Sequence, residues 1–346
     1  MDIKLTMNNI LKRRTKLRNY FLNIAELYDI LNEYYRSIAY QRAADYIIDV
    51  LKVPDIRKAK ETKFIGGAIQ GDIDEYLHTG KISRYEQLRN SEKNKIIQKF
   101  LGILGIGKAT AKRLADNGYK TIHQVLQYPN LLPISKIGIK YYNELNERFS
   151  RQEADCIIEK IRKILGISSK DSKSQSKNGK SQSKDSYRYQ TKNSYKIFPL
   201  GSYRRGKQDI GDIDIMVIEA DLSEIAEKIE QSSIFFYRII LGKKKYSFLI
   251  SSPYDSKDWN SSNNKNRKRR VDIYNTSKKS QWTMMQYLTG SGSHNEYLRG
   301  LAKAKGIKLN EYGMYNIYSG KEYSINCEKD IYKIIGISYV LPAYRN

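Results

Sequence analysis

A tract of serine and lysine near the middle of the chain divides it into two parts with different hydrophobic periodicity. Residues 168–186 read SSKDSKSQSKNGKSQSKDS, and eight serines with five lysines fill 13 of these 19 positions. Such a segment has almost no apolar surface to bury, so we expect a mobile linker. At roughly 150 residues per domain, the chain of 346 residues predicts about two domains, with three possible if they are small.

The two parts predict different secondary structure. Before the linker, apolar residues recur at helical spacing. Leu22, Ala25, Leu31 and Ile38 lie in a stretch without proline, which Pro54 ends, and Ile157, Ile161, Ile164 and Leu165 form one apolar helix face. After it, short apolar runs predict strands at 213–218, 246–250 and 271–274, with an Asn/Lys/Arg-rich loop at 256–270. We therefore expect an all-α part followed by an α+β part.

Charge limits the possible partners. Lys and Arg total 62 against 37 Asp and Glu, a net charge of +25, which favours nucleic acid, with an acidic membrane surface as the alternative. The first residues carry charges without an apolar stretch, so we expect no secretory signal, and no window is apolar enough for a membrane helix. Two separated cysteines and three histidines argue against disulfide frameworks and zinc sites.

A glycine-rich turn between two helical stretches resembles a helix–hairpin–helix. Leu104-Gly105-Ile106-Gly107-Lys108 can bring backbone amides close to a phosphate, and the next helix adds its N-terminal dipole with Lys112 and Arg113. This arrangement suits sequence-independent DNA binding. An ordinary αα-hairpin with a glycine cap is the alternative, and residues 64–69 look like a degraded first copy.

The segment GSYRRGKQDIGDID at 201–214 contains the strongest chemical signal. Asp212 and Asp214 are two apart at the start of an apolar strand, so strand alternation points both carboxylates to one face. Neighbouring carboxylates repel, and a hard divalent cation relieves that repulsion. A third carboxylate, Asp272, lies in another predicted strand, RRVDIY.

The residues upstream of this carboxylate pair suit a phosphate. The turn at Gly201 and Ser202 offers a hydroxyl and amides, and Arg204 with Arg205 adds two guanidinium groups. Three strand-borne carboxylates beside such a turn predict two-metal nucleotidyl transfer. An isolated Asp-x-Asp could instead be a solvated strand end.

The chain resembles the family X DNA polymerases of the DNA polymerase beta type over most of its length. The resemblance is carried, in order, by AYQRAA (39–44), IDEYLHTGK (73–81), GIGKATAKRLADNGYKT (105–121), GSYRRG (201–206), GDID (211–214), RRVDI (269–273), YLTGSGSHNEYLR (287–299) and KGIKLNEYG (305–313). It implies a helical domain with helix–hairpin–helix motifs, a nucleotidyltransferase palm and a small α/β nucleotide-binding subdomain.

The resemblance also implies roles for single residues. Asp212 and Asp214 would bind both metal ions, and Asp272 the catalytic ion. The incoming triphosphate would lie against Gly201, Ser202, Arg205 and Gly211; its sugar against Tyr287, Leu288, Thr289 and Gly290; and its base edge against Asn295. DNA would be contacted by Gly105, Gly107, Lys108, Arg270 and Arg299, and a 5′-phosphate by Arg36, Tyr40 and Lys60. Leu288 and Gly292 depart from the family pattern and should loosen the nucleotide pocket.

The N-terminal segment departs from the family at its lyase nucleophile. Asp72 stands where the family has its Schiff-base lysine, and Ala68 stands where it has a helper lysine. A carboxylate cannot form an imine, so we expect no lyase activity through this position. Lys63 or Lys81 would be the substitutes.

These observations predict a DNA-directed DNA polymerase that fills short gaps. The expected domains are a lyase-like domain at 1–95, a helix–hairpin–helix domain at 96–150, a palm at 151–275 with an insert at 168–194, and a closing subdomain at 276–346. We expect two Mg²⁺ or Mn²⁺ ions, with K⁺ or Na⁺ at the hairpins. The expected partners are gapped or nicked DNA, dNTPs and repair proteins such as a ligase or AP endonuclease.

Two other functions fit parts of the pattern. One is a template-independent terminal nucleotidyltransferase, because the wider superfamily shares the GS turn and the Asp-x-Asp pair. The other is a DNA-binding scaffold without catalysis, which the presence of all three aspartates disfavours. We expect a monomer inside the cell, nuclear or cytoplasmic, without a membrane; a viral source is left open.

Overall fold

A computed structural model describes residues 2–49, 65–167, 196–254 and 267–345. The chain forms two compact units, Met1–Tyr142 and Asn143–Asn346. Several predictions fall outside the described residues, namely those for Lys60, Lys63, Phe64, the linker at 168–194 and most of the 256–270 loop. No helix in the described part of the chain has the length and hydropathy of a membrane span.

Helices form the first unit, as the periodicity predicts. They are α1 (Asp2–Ile30), α2 (Tyr34–Asp49), α3 (Gly67–Thr79), α4 (Ser83–Asn90), α5 (Glu92–Leu101), α6 (Lys108–Asp116) and α7 (Pro133–Lys140), and α8 (Tyr142–Asn146) begins where the second unit starts. One apolar cluster joins Phe21 of α1 to Ile73 of α3. A second joins Phe100 of α5 to Leu114 of α6 and holds the glycine-rich turn between these helices.

The second unit combines sheets with flanking helices. Its elements are β1 (Phe149–Ser150), α9 (Arg151–Ile164), β2 (Ile197–Pro199), α10 (Gly201–Arg204), β3 (Asp209–Ile210), β4 (Ile213–Ile218), α11 (Leu222–Glu230), β5 (Phe235–Leu241), β6 (Lys245–Ser251), β7 (Lys268–Thr276), α12 (Gln281–Thr289), α13 (Gly292–Ala304), β8 (Ile307–Asn310), β9 (Gly313–Asn316) and α14 (Glu328–Ile335). The α+β architecture predicted from the sequence is confirmed.

A five-stranded mixed sheet in the order β2-β4-β7-β6-β5 positions the site. Ile213, Ile215 and Val217 of β4 are buried in the same core as Ile157 and Ile161 of α9. Because successive side chains of a strand point to opposite faces, Asp214 is turned away from that core. β4 and β7 run parallel with Asp214 opposite Asp272, which brings two predicted carboxylates to one place.

The predicted loop at 256–270 needs a correction at its end. Lys268, Arg269 and Arg270 belong to β7, and the first two are buried. Lys268 lies with its ammonium 4.3 Å from the Phe236 ring, and Arg269 pairs with Glu153 at 2.8 Å. These residues extend the strand because partners on other elements compensate their charges, which local composition does not reveal.

Candidate active site

Three carboxylates converge on one face of the five-stranded sheet, at its interior strands β4 and β7. Asp214 lies on β4, Asp212 immediately precedes that strand, and Asp272 lies on β7. One carboxylate oxygen from each lies within 4.8 Å of the others. The sequence predicted this set, and the parallel register of β4 and β7 is what assembles it.

The cluster has the electrostatics of a cation site. Burial, followed by the charges of Asp212 and Asp272, raises the pKa of Asp214 to about 7. Converging carboxylate oxygens are the ligands that Mg²⁺ and Mn²⁺ prefer, and a divalent ion would offset this repulsion. The donor set therefore fits a divalent metal.

Cationic side chains already partner two of these carboxylates. Arg270 donates through Nη2 to Oδ2 of Asp212. Lys245 donates from Nζ to Oδ2 of Asp272 at 2.9 Å, and the Ser247 hydroxyl donates to the other oxygen of Asp272. Burial would lower the pKa values of Arg270 and Lys245, but the neighbouring carboxylates raise them.

Sequence reasoning missed Lys245 and Ser247. Both lie on β6, where Ser247 is directly opposite Asp272 and Lys245 is opposite Tyr274. Residues two apart on a strand share a face, so both side chains reach the same carboxylate. The alternation in KYSFLI was the available signal, but the pairing of β6 with β7 needs the register, which the sequence does not display.

The predicted phosphate turn packs directly against the carboxylates. Gly201 has φ of +57°, and a Cβ built there would collide with Oδ2 of Asp214, so both conformation and space demand glycine. Ser202 follows in the short helix α10. The Arg205 guanidinium donates to the main-chain oxygen of Thr289, and burial lowers its pKa.

Arg204 has partners that the sequence did not suggest. Its guanidinium binds Glu328 of α14 at 2.9 Å and the Thr289 hydroxyl at 2.6 Å. Burial would raise the pKa of Glu328, but hydrogen bonds and charge from Arg204 and Arg345 lower it to about 2. Arg204 thus connects the phosphate turn to α14 and compensates the buried Glu328 carboxylate.

Arg148 is a third residue that sequence reasoning missed. Its Nη1 lies 3.4 Å from where a Cβ of Gly211 would stand, and its Nε pairs with Asp209 at 2.6 Å. Its charge also acts on Arg205. The pairing of β1 with β3 brings Arg148 beside the phosphate turn, across a separation of about sixty residues that no local pattern spans.

The predicted nucleotide-binding residues on α12 and α13 have different exposures. Tyr287 is partly exposed, and the Arg299 guanidinium lies 5.3 Å from its ring centroid. Thr289 is buried and donates its hydroxyl to the Met285 main-chain oxygen at 2.6 Å, so its side chain faces the helix. Asn295 is buried and hydrogen-bonded to residues of α12.

The glycine-rich turn of the first unit has the predicted form. Gly105 has φ of +85°, and a Cβ there would lie 2.7 Å from Ile134. Gly107 caps the N-terminus of α6. Lys108 pairs with Asp29, and Lys112 pairs with Asp116 at 2.7 Å, so these lysines have intramolecular partners in the free chain.

Tyr40, one of the residues predicted to bind a 5′-phosphate, belongs to a buried charge cluster. Asp72 is buried, accepts from the Tyr40 hydroxyl and pairs with Arg84 Nε at 2.9 Å. Burial and then the bond to Asp72 raise the pKa of Tyr40. Arg36 is exposed and pairs with Glu33 at 2.6 Å. The Tyr40 hydroxyl therefore already has a partner in this structure.

Three sequence families match separate parts of the chain. The DNA polymerase beta palm matches residues 184–278, the DNA polymerase beta thumb matches 284–346, and the fingers domain of DNA polymerase lambda matches 98–146. The palm match contains all three carboxylates of the cluster.

Curated relatives match nearly the whole chain. DNA polymerase lambda of Arabidopsis thaliana is 24% identical over 94% of this chain and 61% of its own length. DNA polymerase lambda of Rattus norvegicus is 23% identical over 96% and 57%. DNA nucleotidylexotransferase of Xenopus laevis is 23% identical over 97% and 70%. The chain thus spans about three fifths of the length of the two lambda relatives.

Proposed function

The chain belongs to the family X DNA polymerases, and on that basis we propose that it fills short gaps in DNA by templated addition of deoxynucleotides. The observation that carries this proposal is the convergence of Asp212, Asp214 and Asp272 within 4.8 Å. The glycine-rich turn of the first unit supports a DNA substrate, since its amides suit a phosphate backbone.

In the proposed reaction the primer 3′-oxygen bonds to the α-phosphorus of a dNTP. The bond from that phosphorus to the bridging oxygen breaks, and pyrophosphate leaves. Two divalent ions held by Asp212, Asp214 and Asp272 would supply charge stabilisation to the attacking and leaving oxygens. The primer hydroxyl proton would pass to solvent, and Asp272 would favour its loss; the Ser247 hydroxyl holds this carboxylate in place.

The remaining residues bind and orient the substrates. Ser202, Arg205 and Gly211 line the turn beside Asp214 and suit the triphosphate, and Arg148 adds a guanidinium at the same turn. Tyr287, Leu288 and Gly290 are assigned to the sugar. Catalysis of this kind depends on positioning and charge stabilisation more than on covalent chemistry.

Primer extension on a one-nucleotide gap tests the templated activity. Wild-type protein should add the complementary nucleotide and stop when the gap is filled, and Asp272→Ala should not extend. Equal addition of all four dNTPs without a template strand would contradict the proposal. That result would favour terminal transfer, the second candidate function, which the relative named DNA nucleotidylexotransferase supports.

We also propose that the first unit binds gap ends without removing deoxyribose phosphate. The usual lysine position holds Asp72, which is engaged by Arg84 and Tyr40. Borohydride should therefore trap no covalent complex with an incised abasic site, whereas efficient trapping would contradict the proposal. Comparison of gaps with and without a 5′-phosphate tests whether Arg36 and Lys60 contribute to binding.

A further inference from the structure

Two buried amide side chains meet where α12 passes into α13. Gln286 is 3% exposed and Asn295 is 9% exposed. Gln286 donates from Nε2 to Oδ1 of Asn295 at 2.9 Å. Asn295 donates from Nδ2 to the main-chain oxygen of Tyr287 at 2.8 Å. Each end of the Asn295 amide therefore has its own partner.

These two bonds determine which way the Asn295 amide faces. The Tyr287 main-chain carbonyl can only accept a hydrogen bond, so it must face the amide nitrogen of Asn295. The amide NH2 group of Gln286 donates, so it must face the amide oxygen of Asn295. A reversed amide would place oxygen against oxygen at Tyr287. An amide nitrogen carries two hydrogens, and within the described part of the chain only one of them has an acceptor. The second N–H is left as a donor.

We propose that Gln286 is a positioning residue that sets base recognition in the nucleotide site by holding Asn295 with this donor available. The inference rests on the proposed function, in which Asn295 meets the minor-groove edge of the incoming base. That edge presents an acceptor in each base, N3 of a purine or O2 of a pyrimidine. A donor held in this position can hydrogen-bond to all four natural bases. It disfavours a base that lacks the N3 or O2 acceptor.

Gln286 acts through Asn295 because its own side chain is buried. Tyr287, the next residue, is the one that reaches the surface, at 36% exposure. On α12 the Gln286 side chain faces α13 and the Tyr287 side chain faces outward. Adjacent residues of one helix turn therefore provide the exposed aromatic ring and the buried amide that holds Asn295. Removal of the Gln286 donor would leave the Asn295 oxygen without its partner, so that only the bond to the Tyr287 carbonyl would restrain the amide.

Single-turnover gap filling opposite thymine tests this role with two nucleotides. One is dATP, and the other is 3-deaza-2′-deoxyadenosine triphosphate, in which carbon replaces the N3 acceptor. Wild-type protein should prefer dATP by about fivefold to tenfold in kcat/KM, the usual worth of one neutral hydrogen bond. Gln286→Met, which cannot donate, and Gln286→Glu, which as an ionised carboxylate can only accept, should reduce this preference to about twofold or less.

The Gln286 variants should bind only one of the two nucleotides, dATP, more weakly. Both Gln286 variants should raise the KM for dATP and leave the KM for the deaza nucleotide near the wild-type value. Asn295→Ala should behave in the same way. Gln281→Glu, on the first turn of the same helix, is the matched control and should keep the full preference. Thermal melting of each variant verifies folding.

The outcomes separate the inference from the function on which it rests. If both Gln286 variants keep the wild-type preference while Asn295→Ala loses it, the positioning role is wrong and the nucleotide site stands. If kcat/KM of the Gln286 variants falls equally for both nucleotides, the role of Gln286 is merely structural and the inference is again overturned. Failure of wild-type protein to insert either nucleotide would instead refute the proposed function.

Discussion

Removal of the Asp72 carboxylate should destabilise the first unit strongly. The Asp72 side chain is 7% exposed and that of Arg84 is 35% exposed, with 2.9 Å between Arg84 Nε and Asp72 Oδ2. Loss of one partner of a buried ion pair costs about 3–5 kcal/mol. Since Arg84 keeps about a third of its surface in water, we expect a lower cost for Asp72→Ala, about 2–3 kcal/mol.

A melting experiment measures this cost. At roughly 2–4 °C per kcal/mol for a unit of this size, Asp72→Ala should lower Tm by about 4–12 °C. Arg84→Met and the double variant complete a cycle, and the two losses should not add, because either single change already breaks the pair.

The exposed Lys95–Glu92 pair provides the control. Its partners are 51% and 83% exposed at a separation of 3.3 Å, so Glu92→Gln should change the free energy of unfolding by less than about 1 kcal/mol. A Tm for Asp72→Ala equal to that of Glu92→Gln would refute the reasoning, because burial would then add nothing to the strength of the Asp72–Arg84 pair.

Three further predictions concern the carboxylate cluster. Asp272→Asn should lower kcat in primer extension by at least about a hundredfold with unchanged DNA affinity, and near-wild-type turnover would exclude Asp272 as a metal ligand. The raised pKa of Asp214, about 7, means that its carboxyl holds a proton below that pH, so Mn²⁺ affinity should fall about tenfold per pH unit below 7. Binding titrations at pH 5.5, 6.5 and 7.5 measure this, and a flat profile would contradict it. Ser247→Ala should raise the Mg²⁺ concentration for half-maximal extension about tenfold, whereas Ser247→Thr, which keeps the hydroxyl, should not. Equal Mg²⁺ concentrations for the two variants would show that the Ser247 hydroxyl does not position Asp272.

The fold was predictable where local periodicity carries the information. The run at 213–218 coincides with β4, and the runs at 246–250 and 271–274 lie within β6 and β7. The start of β7 at Lys268 was not predictable. Its lysine and arginine are buried in the strand against an aromatic ring and a distant glutamate, and the local sequence does not show these contacts.

The same division applies to the candidate site. Residue type and spacing identified the three aspartates and the turn at Gly201, since close carboxylates and a glycine before them are visible in order along the chain. Arg148, Lys245 and Gln286 were not identifiable, because each acts on a residue that strand pairing or helix packing brings to it. The partner of Arg204 was not identifiable for the same reason, since Glu328 follows it by 124 residues.

By itself the sequence predicted a polyanionic partner, through its charge of +25, and identified three carboxylates suited to metal-dependent nucleotidyl transfer. The tertiary structure decided which cations and hydroxyls reach those carboxylates, and it assigned Asp72 to a buried ion pair with Arg84. The physical reason is that spacing along a strand or helix determines which face a side chain occupies, whereas its partners depend on register and packing between segments far apart in the chain.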